Sequence, residues 1–252
     1  MVFKRLLGAL GVGGPTVDTV LSTPTVRPGG SVFGQVNLVG GEREAEINGI
    51  TLSLIARVEV EYEDHEGHTD RTFASAVVSG PLRLAAGQNL AVPFSFPVPF
   101  ETPATAIGGQ HLSGMVLGVR TEVDIAGQLD KGDVDPLAVE ALPVQQRVLD
   151  GLLALGFRFS RADLEAGHIR GTRQTLPFYQ EIEFKAAPQY AHRCNEIEVT
   201  FVADAYGVEV VLEFDKRGFL SSGDAVRTYR LEHAAAQQDL TAVVDGWIRA
   251  AL

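Results

Sequence analysis

The sequence predicts an all-β protein of two β-sandwich domains, and three observations predict it. Apolar and polar residues alternate with period two over much of the chain, turn signals punctuate that alternation at short intervals, and helical periodicity is confined to a few segments. The chain has 252 residues, 45% hydrophobic and 21% charged, which is a globular composition long enough for one large domain or two ordinary ones.

The first element is the segment MVFKRLLGALGV. Val2, Phe3, Leu6, Leu7 and Leu10 share one helical stripe with Lys4 and Arg5 beside it, the one basic amphipathic element in an acidic chain. Three isolated turns are marginal in water, so the stripe must be buried against the protein's own core or sheet edge, a partner groove or a membrane surface. Phe3, Lys4, Arg5, Leu6, Leu7 and Leu10 are therefore the candidate partner-docking residues. Gly-Val-Gly-Gly at 11–14 reads as the helix stop.

Strands follow. Val32, Val36 and Leu38 alternate after the turn Arg27-Pro28-Gly29-Gly30, and in TLSLIARVEVEYE the residues Leu52, Leu54, Ala56, Val58, Val60 and Tyr62 oppose Ser53, Arg57, Glu59 and Glu61. Leu90, Val92, Phe94 and Phe96, then Leu117, Val119, Val123 and Ile125, repeat the pattern. PFSFPVPFETPAT, at 93–105, combines alternation with Pro93, Pro97, Pro99 and Pro103, each of which lacks a backbone donor. A central strand does not tolerate this, so the segment is expected at a sheet edge, with Phe94 and Phe96 turned inward.

The polar run DKGDVDP changes the texture, and residues 130–137 are expected to be a charged linker between domains 1–132 and 133–252. Leu142, Val148, Leu149, Leu152 and Leu153 then recur at helical spacing, with Gly156 as a stop. Alternation resumes at Phe157 and Phe159, Ile182 and Phe184, Ile197, Val199 and Phe201, and Val208, Val210 and Leu212, giving a second, smaller β-domain. A final helix places Leu240, Val243, Val244, Trp247, Ile248 and Ala251 on one stripe.

The turn and strand Val26-Arg27-Pro28-Gly29-Gly30-Ser31-Val32-Phe33-Gly34-Gln35-Val36 resembles the opening of arrestin-type domains, and Leu90–Pro103 is similar to a later arrestin strand. Pro28, Gly29, Gly34, Pro93, Phe94, Phe96 and Pro97 are the residues that carry this fold signature. FKRLLGALGVGGPTVDTVL, GLLALGFRFSRADLEAG and RQTLPFYQEIEFKA, in that order, resemble the bacterial sporulation-control (SpoOM) family over most of the chain to about residue 220. The resemblance implies two arrestin-like sandwiches, a cytoplasmic regulator or scaffold with no known chemistry, and association with sporulation control and with cell-division or cytoskeletal proteins. The Ala-rich C-terminal region departs from the family pattern.

Motifs for chemistry are sparse. Glu63-Asp64-His65-Glu66-Gly67-His68-Thr69-Asp70 could ligate a divalent ion, and a carbohydrate- or metal-binding sandwich using this loop is the alternative reading, although a solvated hairpin tip explains it as well. His192 and Cys194 would share a strand face as a nucleophile pair, but no third group orients them, and a lone cysteine is more often a small buried hydrophobe. Asp130, Asp133 and Asp135 lack the later residues of a calcium loop. The chain has no Gly-x-Ser-x-Gly elbow, phosphate-binding Walker loop or dinucleotide fingerprint, so neither catalytic residues nor a cofactor is expected. A formal charge of −11 disfavours nucleic acid as a partner. One cysteine and no apolar run long enough to span a bilayer fit the cytoplasm, with proteins as the expected partners and homo-oligomerisation left open.

Overall fold

A computed structural model describes residues 13–62, 65–216 and 226–252. The candidate docking residues Phe3, Lys4, Arg5, Leu6, Leu7 and Leu10 lie outside the described residues. In chain order the strands begin with β1 (Thr16–Leu21), β2 (Thr25–Val26), β3 (Ser31–Val39), β4 (Ala45–Tyr62), β5 (His65–Ser79), β6 (Leu82–Leu84) and β7 (Asn89–Pro97). There follow β8 (Ala106–Ile107), β9 (Gln110–His111), β10 (Leu117–Ile125), β11 (Lys131–Pro136) and β12 (Ala138–Val139). Helix α1 (Pro143–Ala154) precedes β13 (Arg158–Ala166), β14 (Phe178–Lys185), β15 (Cys194–Asp204), β16 (Gly207–Lys216), β17 (Arg227–Glu232) and helix α2 (Thr241–Ala251).

The chain forms two compact units that are interleaved in sequence, in place of a single cut at 132/133. The first takes the described residues up to Arg57, then Asp70–Pro99 and Val116–Ala138, and the second takes Val58–Thr69, Phe100–Met115 and Val139–Leu252. The cause is β4, which at 18 residues is about three times the usual strand length, so that its first part serves one unit and its end the other.

In the first unit, β1, β3 and β7 make a three-stranded antiparallel sheet, and β4 pairs with β10, which pairs with β11. The alternation read from the sequence becomes the core: Val32, Val36, Leu38, Phe94 and Phe96 from one sheet, and Ile50, Leu52, Leu54, Val119 and Val123 from the other, are all buried. A hydroxyl pair bridges the sheets inside this core, Thr19 on β1 and Thr121 on β10, with their oxygens 2.6 Å apart. The proline-bearing β7 is an edge strand, with Pro93 opposite Gln35 and Pro97 opposite Ser31. A missing donor costs nothing on the unpaired side of such a strand, and it blocks addition of a further one.

Residues 131–136 are strand, not linker. β11 runs along β10 with Asp135 opposite Val119 and Asp133 opposite Thr121, and the Thr19 amide donates to the Asp133 carboxylate at 2.8 Å. Charge hides such a strand from period-two reading, but charge is what a sheet edge selects.

In the second unit, β13 to β17 form an antiparallel sheet in sequence order. Its inward face carries Phe178, Ile182, Phe184, Ile197, Val199, Val210, Leu212 and Phe214, and α1 packs against the strands and against α2. Pro143 opens α1, where its missing N–H is harmless. Gly156 closes it in the left-handed region at φ +91°, its amide bonding the Leu153 carbonyl while that of Phe157 bonds the Leu152 carbonyl. Val244, Ile248 and Ala251 of α2 are buried, Val243 from the same predicted stripe is exposed, and Trp247 stacks on Tyr229 at 4.4 Å.

Candidate functional site

The residues singled out for chemistry do not converge. Glu63 and Asp64 lie outside the described residues, as do the side chains of His65 and Glu66, while residues 65–70 belong to strand β5 and not to a loop. Arg57 reaches Asp70 at 3.8 Å. Cys194 is fully buried at the start of β15, whereas His192 is exposed in the preceding turn, so the two do not share a strand face. Asp133 is committed to backbone amides, those of Thr19 and Val134.

What the sheet of the second unit does bring together is carboxylates. On β13 to β16 the residues alternating with the core are Asp163 and Glu165, Glu181 and Glu183, Glu196 and Glu198, and Glu213 and Asp215. Register sets Asp163 opposite Glu181, Glu183 opposite Glu198, Glu198 opposite Glu213 and Glu196 opposite Asp215. Glu59, at the end of β4, lies opposite Glu165, and one oxygen each from Glu59, Asp163 and Glu165 fall within 4.8 Å of one another. Acidic trios of this kind are common on protein surfaces without an ion.

Cations offset part of this charge. The Arg161 guanidinium donates to Glu183 at 2.6 Å and lies 3.6 Å from Asp163, and Lys185 pairs with Glu196. Glu181 has a different environment. Partial burial, then the negative charges of Glu198, Asp163, Glu165 and Glu213, push its carboxyl up to about 8. Burial followed by the same kind of repulsion raises Tyr179 to about 12. At the far end of the sheet the sign reverses. Arg230 donates to both oxygens of Asp204 at 2.7 and 2.8 Å, the amides of Tyr206 and Gly207 donate to Asp204 as well, and its carboxyl falls to about 2.

Sequence reading missed this face because each strand shows only an acid-x-acid pair. Repetition of that pair in four strands is the signal that could have found it.

With the geometry established, comparison with known proteins decides the family. The sequence pattern described as SpoOM protein matches residues 3–218. The chain belongs to the SpoOM protein family. It is 35% identical over 216 residues to the sporulation-control protein spo0M of Bacillus subtilis strain 168, a match covering 85% of this chain and 81% of that one. The crystal structure of Spo0M, sporulation control protein, from Bacillus subtilis superposes with a TM-score of 0.84 at 28% identity, covering 96% of this chain and all of that one. The all-β, two-sandwich, arrestin-like fold expected of a SpoOM protein is the fold found. Helix α2 lies beyond residue 218, where the family pattern stops. Among the described residues no helix is long and apolar enough to cross a membrane.

Proposed function

We propose that this SpoOM protein is a cytoplasmic regulator of sporulation that acts as a scaffold through protein contacts and carries out no chemistry of its own. The observation that carries the reading is the match to the sporulation-control protein of Bacillus subtilis over 85% of the chain. It is supported by the dispersal of the candidate chemical residues: Cys194 is buried, His192 faces solvent and Asp133 is spent on backbone amides. Edges blocked by proline on β7 and by Asp133 on β1 direct a partner away from strand addition at that sheet. The basic apolar segment holding Phe3, Lys4, Arg5, Leu6, Leu7 and Leu10 is the proposed docking element, with a protein as its partner.

The test is complementation. Expression of this chain in a Bacillus subtilis strain lacking its own spo0M should restore the sporulation frequency, and removal of residues 1–12 should abolish the rescue without changing the melting temperature. A folded, expressed chain that leaves sporulation unrestored would sink the proposal. Loss of thermal stability on removing residues 1–12 would instead refute the docking role of that segment.

A further inference from the structure

The carboxylate face of the second unit opposes a rule of strand pairing. Like charges directly across an antiparallel pair destabilise it, and here Asp163 faces Glu181, Glu183 faces Glu198, and Glu198 faces Glu213. Glu181 sits in the middle of the array: it is directly opposite Asp163 on one side, and on the other it is diagonal to Glu198, because Glu183 and not Glu181 is the direct partner of Glu198.

The described charged and titratable groups on this face are Arg158, Arg161, Asp163 and Glu165 from β13, and Tyr179, Glu183 and Lys185 from β14 itself. To these β15 adds Glu196 and Glu198, β16 adds Glu213 and Asp215, and β4 adds Glu59, while Asp204, Glu209, Arg230 and Glu232 lie at the far end of the same face. Of the cations in this set, Arg161 is engaged with Glu183 and Asp163, Lys185 with Glu196 and Arg230 with Asp204, while Arg158 lies opposite Lys185 at the end of the strand pair. Glu181 is thus half-buried beside several anions, with the nearby cations directed at other carboxylates. A partly buried carboxylate in such a setting lowers its energy most directly by taking a proton.

We propose that folding of the second unit takes up a proton onto this row at Glu181, which makes the unit a proton-linked element that loosens as pH rises through neutrality. The sign follows from linkage. The folded carboxyl keeps its proton until about 8, whereas an ordinary glutamate loses it near 4.5, so between those values the folded state binds more protons and stability falls with rising pH. This is opposite to the behaviour of an ion-paired carboxylate.

The experiment is denaturant unfolding of the full chain at pH values from 5 to 8.5, for wild type and Glu181→Gln, with carbon-13 carboxyl titration of Glu181 in the folded wild type. The expected result is an unfolding constant that rises at least about tenfold in wild type from pH 5.5 to 8, a much flatter profile in Glu181→Gln, and a Glu181 resonance that titrates above pH 6.5. Should Glu181→Gln fail to fold, Glu198→Gln supplies the second variant, and its Glu181 resonance should titrate at a lower pH than in wild type. A Glu181 resonance titrating below pH 5, or a wild-type pH profile retained in Glu181→Gln, would overturn the proposal.

Discussion

Gly34 of β3 lies directly opposite Phe94 of β7, and the Phe94 ring fills the space that a side chain on Gly34 would need. A Cβ at Gly34 would sit 2.7 Å from Phe94 Cζ and 2.4 Å from the Val20 carbonyl oxygen. The glycine of the turn-strand motif and the phenylalanine of the proline-rich motif, far apart in sequence, are two halves of one packing contact.

Gly34→Ala should therefore lower stability by about 2 kcal/mol or more, as overpacking and a backbone shift combine. Adding Phe94→Leu to Gly34→Ala should recover only part of the loss, because the Val20 carbonyl does not move with the ring. Denaturant melts of the two single variants and the double variant measure this. Full recovery in the double variant would contradict the backbone clash.

The hydroxyl bridge between Thr19 and Thr121 makes a second prediction. Thr121 is fully buried, and the two oxygens are 2.6 Å apart. Thr121→Val should cost about 1–3 kcal/mol, since it leaves the Thr19 hydroxyl buried without that partner. Thr19→Val with Thr121→Val should cost less than Thr121→Val alone, because no polar group is then stranded. A double-mutant cycle on the melting transition gives the coupling energy.

How much of this was legible in the sequence depends on whether a feature is local. Val32, Val36 and Leu38, read from the sequence as one alternating face, and Phe94 and Phe96, read as turned inward, are all buried, because period two needs no knowledge of the partner strand. The edge position of β7 was legible for the same reason, since proline reports its own missing donor. Strand β11 was not, because Lys131, Asp133 and Asp135 look like a solvated linker until β10 is placed beside them. The carboxylate row was hidden more deeply. Glu181-Ile182-Glu183 shows an alternating strand, but which acids lie opposite is set by register with β13 and β15, and a one-residue slip would put those acids on the other face. The interleaving of the units was out of reach because nothing in the alternation of β4 marks residue 57 as the place where it passes from one unit to the other.

Asp204 gives the acid side of the pH response. Its folded carboxyl is held near 2 by the Arg230 guanidinium and by the amides of Tyr206 and Gly207, below the ordinary aspartate value of 3.8. A depressed carboxylate stabilises the fold above its unfolded value, and that stability is lost as pH falls through about 2. Arg230→Gln should move acid unfolding to higher pH, read by circular dichroism between pH 1.5 and 5. The effect should be modest and should shrink in high salt, because the pair is partly exposed. The same substitution should leave the response above pH 6 unchanged, since the Glu181 row is built from other residues.

Helix α2 closes the fold beyond the stretch matched by the family pattern, and its packing on α1 makes its contribution measurable. Ile248 is fully buried, so Ile248→Ala should cost about 2–5 kcal/mol through lost burial and the cavity left behind. Gly151 of α1 is the point of close approach, where an added Cβ would lie 3.3 Å from Val244 Cγ2. Two effects compete in Gly151→Ala: alanine gains about 1 kcal/mol of helix propensity, and the tight contact with Val244 takes some of it back. Combined with Val244→Ala, the same change should show its propensity gain in full, so the pair should be less destabilised than the sum of the two singles. Additive melting shifts would mean that α2 sits less closely on α1 than the 3.3 Å contact requires.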